Sequence, residues 1–155
     1  MPRNVYHLAQ INIGRILAPL DSPIMAEFVN NLDRINALAE SSPGFVWRLV
    51  GEGNNATDLR PFEDDTILVN MSVWETFDHL KAFVYRSDHT EFIRRRTQWF
   101  SKFESMHMCL WWVRAGHIPT PREAKERLDH YWAHGESAYA FTFRSPYPAP
   151  GKESG

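Results

Sequence analysis

The sequence predicts a single α+β domain with a ferredoxin-like βαββαβ fold, extended at its C-terminal end by one more helix and strand. Three observations indicate this fold. The chain has 155 residues, the usual size of one domain. Its apolar residues alternate between the strand period of two and the helix period of about 3.6. The segments follow the order strand, helix, strand, strand, helix, strand before the additional pair. We expect the domain to span residues 1–143 and residues 144–155 to form a mobile tail.

The N-terminal part predicts a strand followed by an amphipathic helix. In residues 5–14 two sets of side chains alternate as in a strand: His7, Ala9, Ile11 and Ile13 form one set, and the partly polar Leu8, Gln10, Asn12 and Gly14 form the other. Ser22 and Pro23 predict the N-cap and first turn of a helix that ends at residues 42–44.

The next two predicted strands, residues 45–50 and 66–74, are rich in β-branched and aromatic residues. Residues 51–65 between them are polar and contain turn residues, which predicts a loop. After the second of these strands the period changes, and Phe77 and Val84 mark a helix.

The C-terminal half predicts two further helices and two further strands. A capping-box pattern at residues 88–91 indicates a helix that reaches Phe103, and residues 108–115 form an apolar strand. Thr120 as N-cap with Pro121 behind it predicts a helix that ends at Gly135. Residues 139–143 predict a last short strand.

The predicted topology has the spatial strand order 4-1-3-2, with helices on one face of the sheet. We expect those helices to pack on the apolar face of the third strand, formed by Ile67, Val69, Met71 and Val73. The other face is expected to be covered by the same sheet of a second subunit. The sequence therefore predicts a homodimer that pairs as a dimeric α/β barrel.

The composition argues against several classes of partner. With 17 Lys and Arg against 19 Asp and Glu, the net charge of -2 gives no field to attract nucleic acid or an anionic membrane. No apolar stretch has the length of a membrane helix, and the first residues do not show a charged region followed by a long apolar run, so we expect a protein that is neither exported nor anchored. The single cysteine, Cys109, lies in an apolar strand pattern and is expected to be buried. We expect a cytoplasmic protein.

Polar side chains of the first and third strands point to a small-molecule pocket. Gln10 and Asn12 share a sheet face with Asn70, Ser72 and Trp74, because the two strands are neighbours in the predicted order. The second strand adds Arg48 to this face. Such a cluster must be satisfied by itself, by water, by the other subunit or by a ligand. Since 14% of the residues are aromatic, a site for a flat apolar ligand is favoured over a wet dimer interface.

A second group of candidates comes from the helix predicted after residue 88. His89 and Arg96 share an apolar stripe with Trp99, which suggests a general acid or base beside an anion clamp. A structural role for the histidine is the alternative. His117, in the loop after the strand that contains Trp111, has either a pocket role or a turn-stabilising one.

No metal or nucleotide site is predicted. His130 and His134 have a spacing that metals use, but no third ligand accompanies them and we expect an exposed pair. Phosphate-binding glycine loops, CxxC pairs and nucleophile elbows are absent from the sequence. We therefore expect no cofactor. The alternative is a haem group with His89 or His117 as its axial ligand.

Several motifs together resemble a bacterial domain family of unknown function. These motifs are residues 10–12, 44–48, 72–75, 99–100 and 111–117, with His89 and Arg96. The family is similar to a branch of the dimeric α/β barrel superfamily, which includes antibiotic biosynthesis monooxygenases. The resemblance covers residues 5–143 and implies the fold and the dimer, while relatives in the superfamily have diverse activities.

Three functions follow as expectations. The leading one is an enzyme, a cofactor-independent monooxygenase or an isomerase, that acts on an aromatic or conjugated small molecule. In it His89 takes a proton, Arg96 and Asn70 stabilise the resulting anion, and aromatic side chains hold the ring. Gln10, Asn12, Arg48, Ser72, Trp74, Trp99, Trp111 and His117 are the expected substrate-binding residues. The alternatives are a haem-binding protein and a non-catalytic ligand-binding or assembly protein.

Overall fold

The computed structural model describes residues 5–19, 21–49, 67–85, 99–101 and 107–150. The elements in chain order are β1 (Tyr6–Ile16), a 3-10 turn (Pro23–Met25), α1 (Ala26–Glu40), β2 (Phe45–Arg48), β3 (Ile67–Trp74), α2 (Phe77–Val84), β4 (Phe100–Ser101), β5 (Met108–Arg114) and α3 (Pro121–His134). Within these ranges no helix is long and apolar enough to cross a membrane.

The five strands form one antiparallel sheet around β1. The order along the sheet is β2, β3, β1, and the far edge of β1 pairs with β5 over Tyr6–Asn12 and with β4 at Arg15 and Ile16. With β5 as the fourth strand, this is the predicted order 4-1-3-2. The α+β ferredoxin-like fold is thereby confirmed.

Local signals at the helix ends are mostly where the sequence places them. Thr120 caps α3, since its side-chain oxygen accepts a hydrogen bond of 3.1 Å from the backbone N–H of Glu123. Ser22 precedes the 3-10 turn but makes no such cap; its hydroxyl instead donates to the carbonyl of Pro19 at 2.6 Å. Gly44 ends the turn after α1 with a φ of 81°, a conformation that glycine adopts readily.

The apolar face of the sheet is covered by α3. On this face the side chains of β1, β3 and β5 form a buried core with Ala124 and Leu128 of the helix: Ala9, Ile11, Ile13, Ile67, Val69, Met71, Val73, Cys109, Trp111 and Val113. Cys109 is buried as expected, and burial raises the pKa of its thiol to about 12, although the charge of Arg127 acts in the opposite direction.

The partly polar face is covered by α1 and α2. Ile35 and Ala39 of α1 and Leu80 and Phe83 of α2 form a second buried core with Leu8, Trp74, Leu110 and Phe141. The predicted arrangement of the two faces was therefore wrong. Strand alternation shows which side chains share a face, but the additional helix α3 takes the most apolar face and leaves the polar one to α1 and α2. The face expected to meet a second subunit lies beneath helices of the same chain, and the homodimer stays a prediction.

The described residues 99–101 do not belong to the helix that was predicted to extend to Phe103. Trp99 lies in a turn and Phe100 in β4, because the backbone there pairs with β1: the N–H of Leu17 donates to the carbonyl of Trp99 at 2.9 Å, and Phe100 is the antiparallel partner of Ile16. Trp99 and Phe100 thus do not share a helical face. Residues 88–98, with His89 and Arg96, and the loop at 51–65 lie outside the described residues.

The predicted last strand is replaced by two isolated antiparallel bridges, one between Ser137 and Ala140 and one between Leu110 and Phe141. The two backbone hydrogen bonds between Leu110 and Phe141 measure 2.7 and 2.9 Å. Part of the predicted tail contacts the domain, because the carbonyl of Tyr147 accepts a hydrogen bond of 2.9 Å from the indole of Trp112. Mobility of the tail stays a prediction.

Candidate functional site

A cavity of about 340 Å³ lies between the polar sheet face and helices α1 and α2. Its floor consists of polar side chains from β1 and β3, and its walls are mainly aliphatic and aromatic. Pockets of this size and composition are typical of small-molecule sites, in which few polar groups orient a largely apolar ligand. This cavity is the candidate site.

Strand register brings the polar floor together. Gln10 of β1 is the cross-strand partner of Ser72 of β3, and Asn12 is the partner of Asn70. Because residues two apart on a strand share a face, all four side chains point to the same side of the sheet. We call these four residues the polar ladder.

Hydrogen bonds within the polar ladder are continuous. The amide nitrogen Nε2 of Gln10 donates to Asn70 Oδ1 and to Ser72 Oγ, each at 2.8 Å. The amide nitrogen Nδ2 of Asn12 donates to Gln10 Oε1 and to Asn70 Oδ1, each at 3.1 Å. These bonds fix the amide orientations relative to one another, since the amide nitrogens of Gln10 and Asn12 both meet acceptors.

Ser72 occupies the buried end of the ladder with a hydroxyl proton to donate. Its Oγ accepts from Gln10 Nε2 and, at 2.9 Å, from the indole Nε1 of Trp74. A hydroxyl oxygen has two lone pairs, so both are engaged and the O–H must donate elsewhere. No acceptor for that proton occurs among the described residues. The cavity is in contact with this side chain, and a ligand oxygen there would satisfy it.

Asn70 offers a second donor group at the more exposed end of the ladder. Its Oδ1 accepts from both Gln10 and Asn12, so its own NH₂ group faces away from these bonds. No hydrogen bond from that group reaches any described residue. The ladder therefore has two neutral donors, the Ser72 hydroxyl and the Asn70 amide, beside the cavity.

Aromatic rings hold the walls in place. The ring of Trp74 stacks on Phe83 of α2 at 5.1 Å and meets Phe45 edge-on at 5.5 Å. At the other end Phe28 of α1 contacts Trp99 at 5.7 Å and Phe100 at 5.1 Å. Such ring pairs add to the stabilisation from burial, and they fix flat surfaces for a planar ligand.

Arg48 also lines the cavity, and it is an ion-paired residue. Its Nε donates to Glu40 Oε2 at 2.9 Å, and its side chain is 9% exposed against 48% for the carboxylate. The pair joins the end of α1 to β2. Apart from Arg48, whose guanidinium keeps its charge and pairs with Glu40, the donors at the floor of the cavity are uncharged amides and a hydroxyl.

Most of the predicted substrate-binding residues line this cavity, namely Gln10, Asn12, Arg48, Ser72, Trp74 and Trp99. Asn70, predicted as a catalytic residue, lines it as well. Trp111 and His117 lie on the opposite side of the sheet, against α3. There Glu123 accepts from the Trp111 indole at 3.1 Å and contacts His117 Nε2 at 2.8 Å. This matches the turn-stabilising alternative for His117.

Sequence reasoning missed several residues that line the cavity, among them Phe83, His107, Met108 and Phe143. The helical period placed Phe28 on the buried side of α1, a signal that could have assigned it to the pocket once the polar face was known to lie beneath that helix. Phe143 carried no such signal, because its place follows from a long-range bridge.

A family model described as a domain of unknown function, DUF3291, matches residues 7–155. No curated protein matches the sequence significantly. The match to the family model agrees with the resemblance found in the sequence motifs.

Solved structures match the fold at low identity. A conserved protein from Methanosarcina mazei is 13% identical with a TM-score of 0.50, and the match covers 71% of this chain and 93% of that one. SnoaB, a cofactor-independent oxygenase from Streptomyces nogalater, is 16% identical, with a TM-score of 0.48. That match covers 74% of this chain and 97% of SnoaB. A protein from Chloroflexus aurantiacus that is described as an antibiotic biosynthesis monooxygenase is 14% identical, with a TM-score of 0.45. That match covers 74% of this chain and 97% of the Chloroflexus one. The similarity to the Methanosarcina protein shows the fold alone.

Proposed function

The chain belongs to the DUF3291 family, and from the site itself we propose that it is an enzyme that deprotonates an aromatic or conjugated hydroxy compound and stabilises the resulting anion. The observation that supports this most directly is the polar ladder. Two of its donors, the Ser72 hydroxyl and the Asn70 amide, have no acceptor among the described residues and lie beside a cavity with aromatic walls. Ser72 is 8% exposed, and a neutral donor in such a buried position stabilises a developing oxyanion strongly, because it is oriented before the reaction.

The binding step uses the aromatic walls. A planar ring lies between the sheet and the helices, in contact with Trp74 and Phe83. An oxygen on the ring edge accepts from the Ser72 hydroxyl, and the Asn70 amide is available for a second bond. Because these donors are uncharged, a neutral hydroxy compound enters this site more readily than it would enter a site built for a carboxylate.

The chemical step is the loss of a proton from the bound compound. We assign its uptake to His89 and the stabilisation of the anion to Arg96 with Asn70, as the sequence suggests; the first two residues lie outside the described ranges. The anion is the branch point between two reactions. Return of the proton to a ring carbon gives the keto tautomer, which is an isomerase reaction. Addition of O₂ as a co-substrate to a ring carbon that bears hydrogen, followed by return of the proton, gives a hydroperoxide that loses water and leaves a ketone, so the compound itself supplies the electrons of a monooxygenase reaction without a cofactor.

The test uses 2-naphthol, whose neutral and anionic forms differ in absorbance and fluorescence. We expect the wild-type protein to bind it and to lower its apparent pKa. A hydrogen bond to a charged group contributes about 1.5–3 kcal/mol, so Ser72→Ala should raise the pKa of the bound naphthol by about one to two units.

Ser41→Ala is the matched control, because that hydroxyl donates to the carbonyl of Leu38 on the exposed end of α1. It should leave the titration unchanged. A wild-type protein that binds no naphthol, or binds it without lowering its pKa, rules out the proposed anion stabilisation. A binding site that holds only the neutral form favours a non-catalytic binding protein.

A further inference from the structure

The segment from Glu136 to Pro150, which we call the C-terminal strap, crosses from one face of the sheet to the other. It begins after α3, which packs on the apolar face. Ala140 is buried in the core of that face, and Phe141 is buried in the core beneath α1 and α2. The bridge of Phe141 to Leu110 marks the crossing point at the free edge of β5.

Hydrogen bonds fasten the strap on both sides of this crossing. The carboxylate of Glu136 accepts from the backbone N–H of Thr142 at 2.8 Å and from the hydroxyl of the same residue. Beyond the crossing, the Trp112 indole donates to the carbonyl of Tyr147, and the ring of Tyr147 contacts Phe141 at 5.5 Å.

Phe143 is the residue that the strap delivers to the candidate site. It lines the cavity, and its ring contacts Phe77 of α2 at 5.4 Å. Tyr85 contacts the same ring at 6.4 Å from outside and is 62% exposed. Met108 lines the same cavity, and like Phe143 it packs against the core beneath α1 and α2.

We propose that Phe143 is a specificity-determining residue: through it the strap forms the end wall of the cavity and limits the number of fused rings that a ligand can have. This inference rests on the proposed function for the chemistry of the ligand. The wall itself is a property of the fold and can be tested without a ligand.

The cavity volume sets the expected limit. An apolar cavity of about 150 Å³ holds one benzene ring. The cavity of about 340 Å³ therefore suits a ligand of roughly two rings with polar substituents. Removal of the Phe143 phenyl group opens space for about one more ring at that end.

The first test compares the bicyclic 2-naphthol with the tricyclic 2-hydroxyanthracene. Wild-type protein should prefer the smaller compound. Phe143→Ala should bind 2-hydroxyanthracene about tenfold more tightly than wild type does, since burial of one further ring is worth at least that factor. The affinity of Phe143→Leu for the larger compound should lie between those of the wild type and Phe143→Ala. Tyr85→Ala, which changes only the outer neighbour of the ring, should keep the wild-type preference. An unchanged ratio of affinities in Phe143→Ala overturns the inference.

The second test needs no ligand and follows oxidation of Met108 by peroxide, with peptide mapping. Met71, on the other face and 1% exposed, is the internal control. Phe143→Ala should speed Met108 oxidation several-fold and leave Met71 unchanged, whereas unfolding would expose both. If Met108 oxidation does not change, Phe143 is not the end wall. If it rises and neither probe binds to any variant, the wall stands and the proposed chemistry fails.

Discussion

The indole N–H of Trp74 donates a hydrogen bond of 2.9 Å to the hydroxyl of Ser72, two residues earlier on the same strand. The bond has two effects. It satisfies the polar atom of a large buried ring, and it occupies a lone pair of Ser72, so the serine proton is directed away from the tryptophan. The indole is therefore a support for the donor and not itself a donor to a ligand.

Replacement of Trp74 by Phe tests this relationship. The ring stays stacked on Phe83, but the loss of the N–H should cost about 0.5–1.5 kcal/mol in the free energy of unfolding, measured with urea. It should also weaken the anion stabilisation of bound 2-naphthol. Trp112→Phe removes a comparable bond, to the carbonyl of Tyr147, and should destabilise the protein without an effect on naphthol. Equal effects of both variants on naphthol would contradict the assigned role.

Gly14 allows the Phe100 ring to lie across β1. A Cβ at this glycine would be 2.5 Å from Cδ1 of Phe100, so Gly14→Ala should cost about 1–3 kcal/mol in unfolding free energy and should lower the affinity for 2-naphthol. Phe100 lines the cavity, which connects the two effects. In the double variant with Phe100→Leu the cost should be smaller than the sum of the single costs. Strictly additive costs would show that the ring and the glycine do not interact.

Gly44 and Gly135 form a matched pair for backbone strain. Their φ angles are +81° and +80°, but a Cβ at Gly44 would overlap the ring of His79, whereas nothing lies within 4 Å at Gly135. Gly135→Ala should therefore cost about 1–2 kcal/mol from strain alone. Gly44→Ala should cost about 1–3 kcal/mol more because of the overlap. Urea unfolding of both variants measures the difference, and equal costs would dismiss the contact with His79.

The strap should loosen in acid. Burial raises the pKa of the Glu136 carboxyl, but hydrogen bonds from Thr142 and Ser145 and the charge of Arg144 lower it by more, so the net pKa lies below the ordinary 4.5. A depressed pKa means that the carboxylate stabilises the fold fully above the ordinary value and that this contribution is lost as the pH falls through the lowered one.

Amide hydrogen exchange at Thr142 measures that loss. Protection should fall at acidic pH in the wild type, and in Glu136→Gln it should be weaker and independent of that titration. Glu126→Gln, on the exposed side of α3, should behave as the wild type does. A pH profile that is the same in Glu136→Gln and the wild type would show that the carboxylate does not fasten the strap.

Strand alternation and strand order were enough to predict the polar ladder from the sequence. Gln10, Asn12, Asn70 and Ser72 follow from a period of two and from the neighbouring positions of β1 and β3, which are local or nearly local properties. The order of the strands followed from the sequence of elements in the same way.

The side of the sheet on which the helices lie could not be predicted in that way. It depends on which helix packs on which face, and α3, which lies far along the chain from β1 and β3, packs on the apolar face. Phe143 was beyond reach for a similar reason, because a single bridge to Leu110 brings it to the cavity. Trp99 and Phe100 were assigned to a helix because their spacing fitted one, whereas pairing with β1 overrode the local pattern.

A sheet that separates two cores within one chain acts as a partition. One compartment, with α3, contains close-packed aliphatic side chains whose replacement changes stability. The other, with α1 and α2, contains a buried core of its own and the side chains that line the cavity. Substitutions at the cavity lining leave the packing of the first compartment in place, so this architecture permits the shape of the cavity to diverge while one of the two cores is kept.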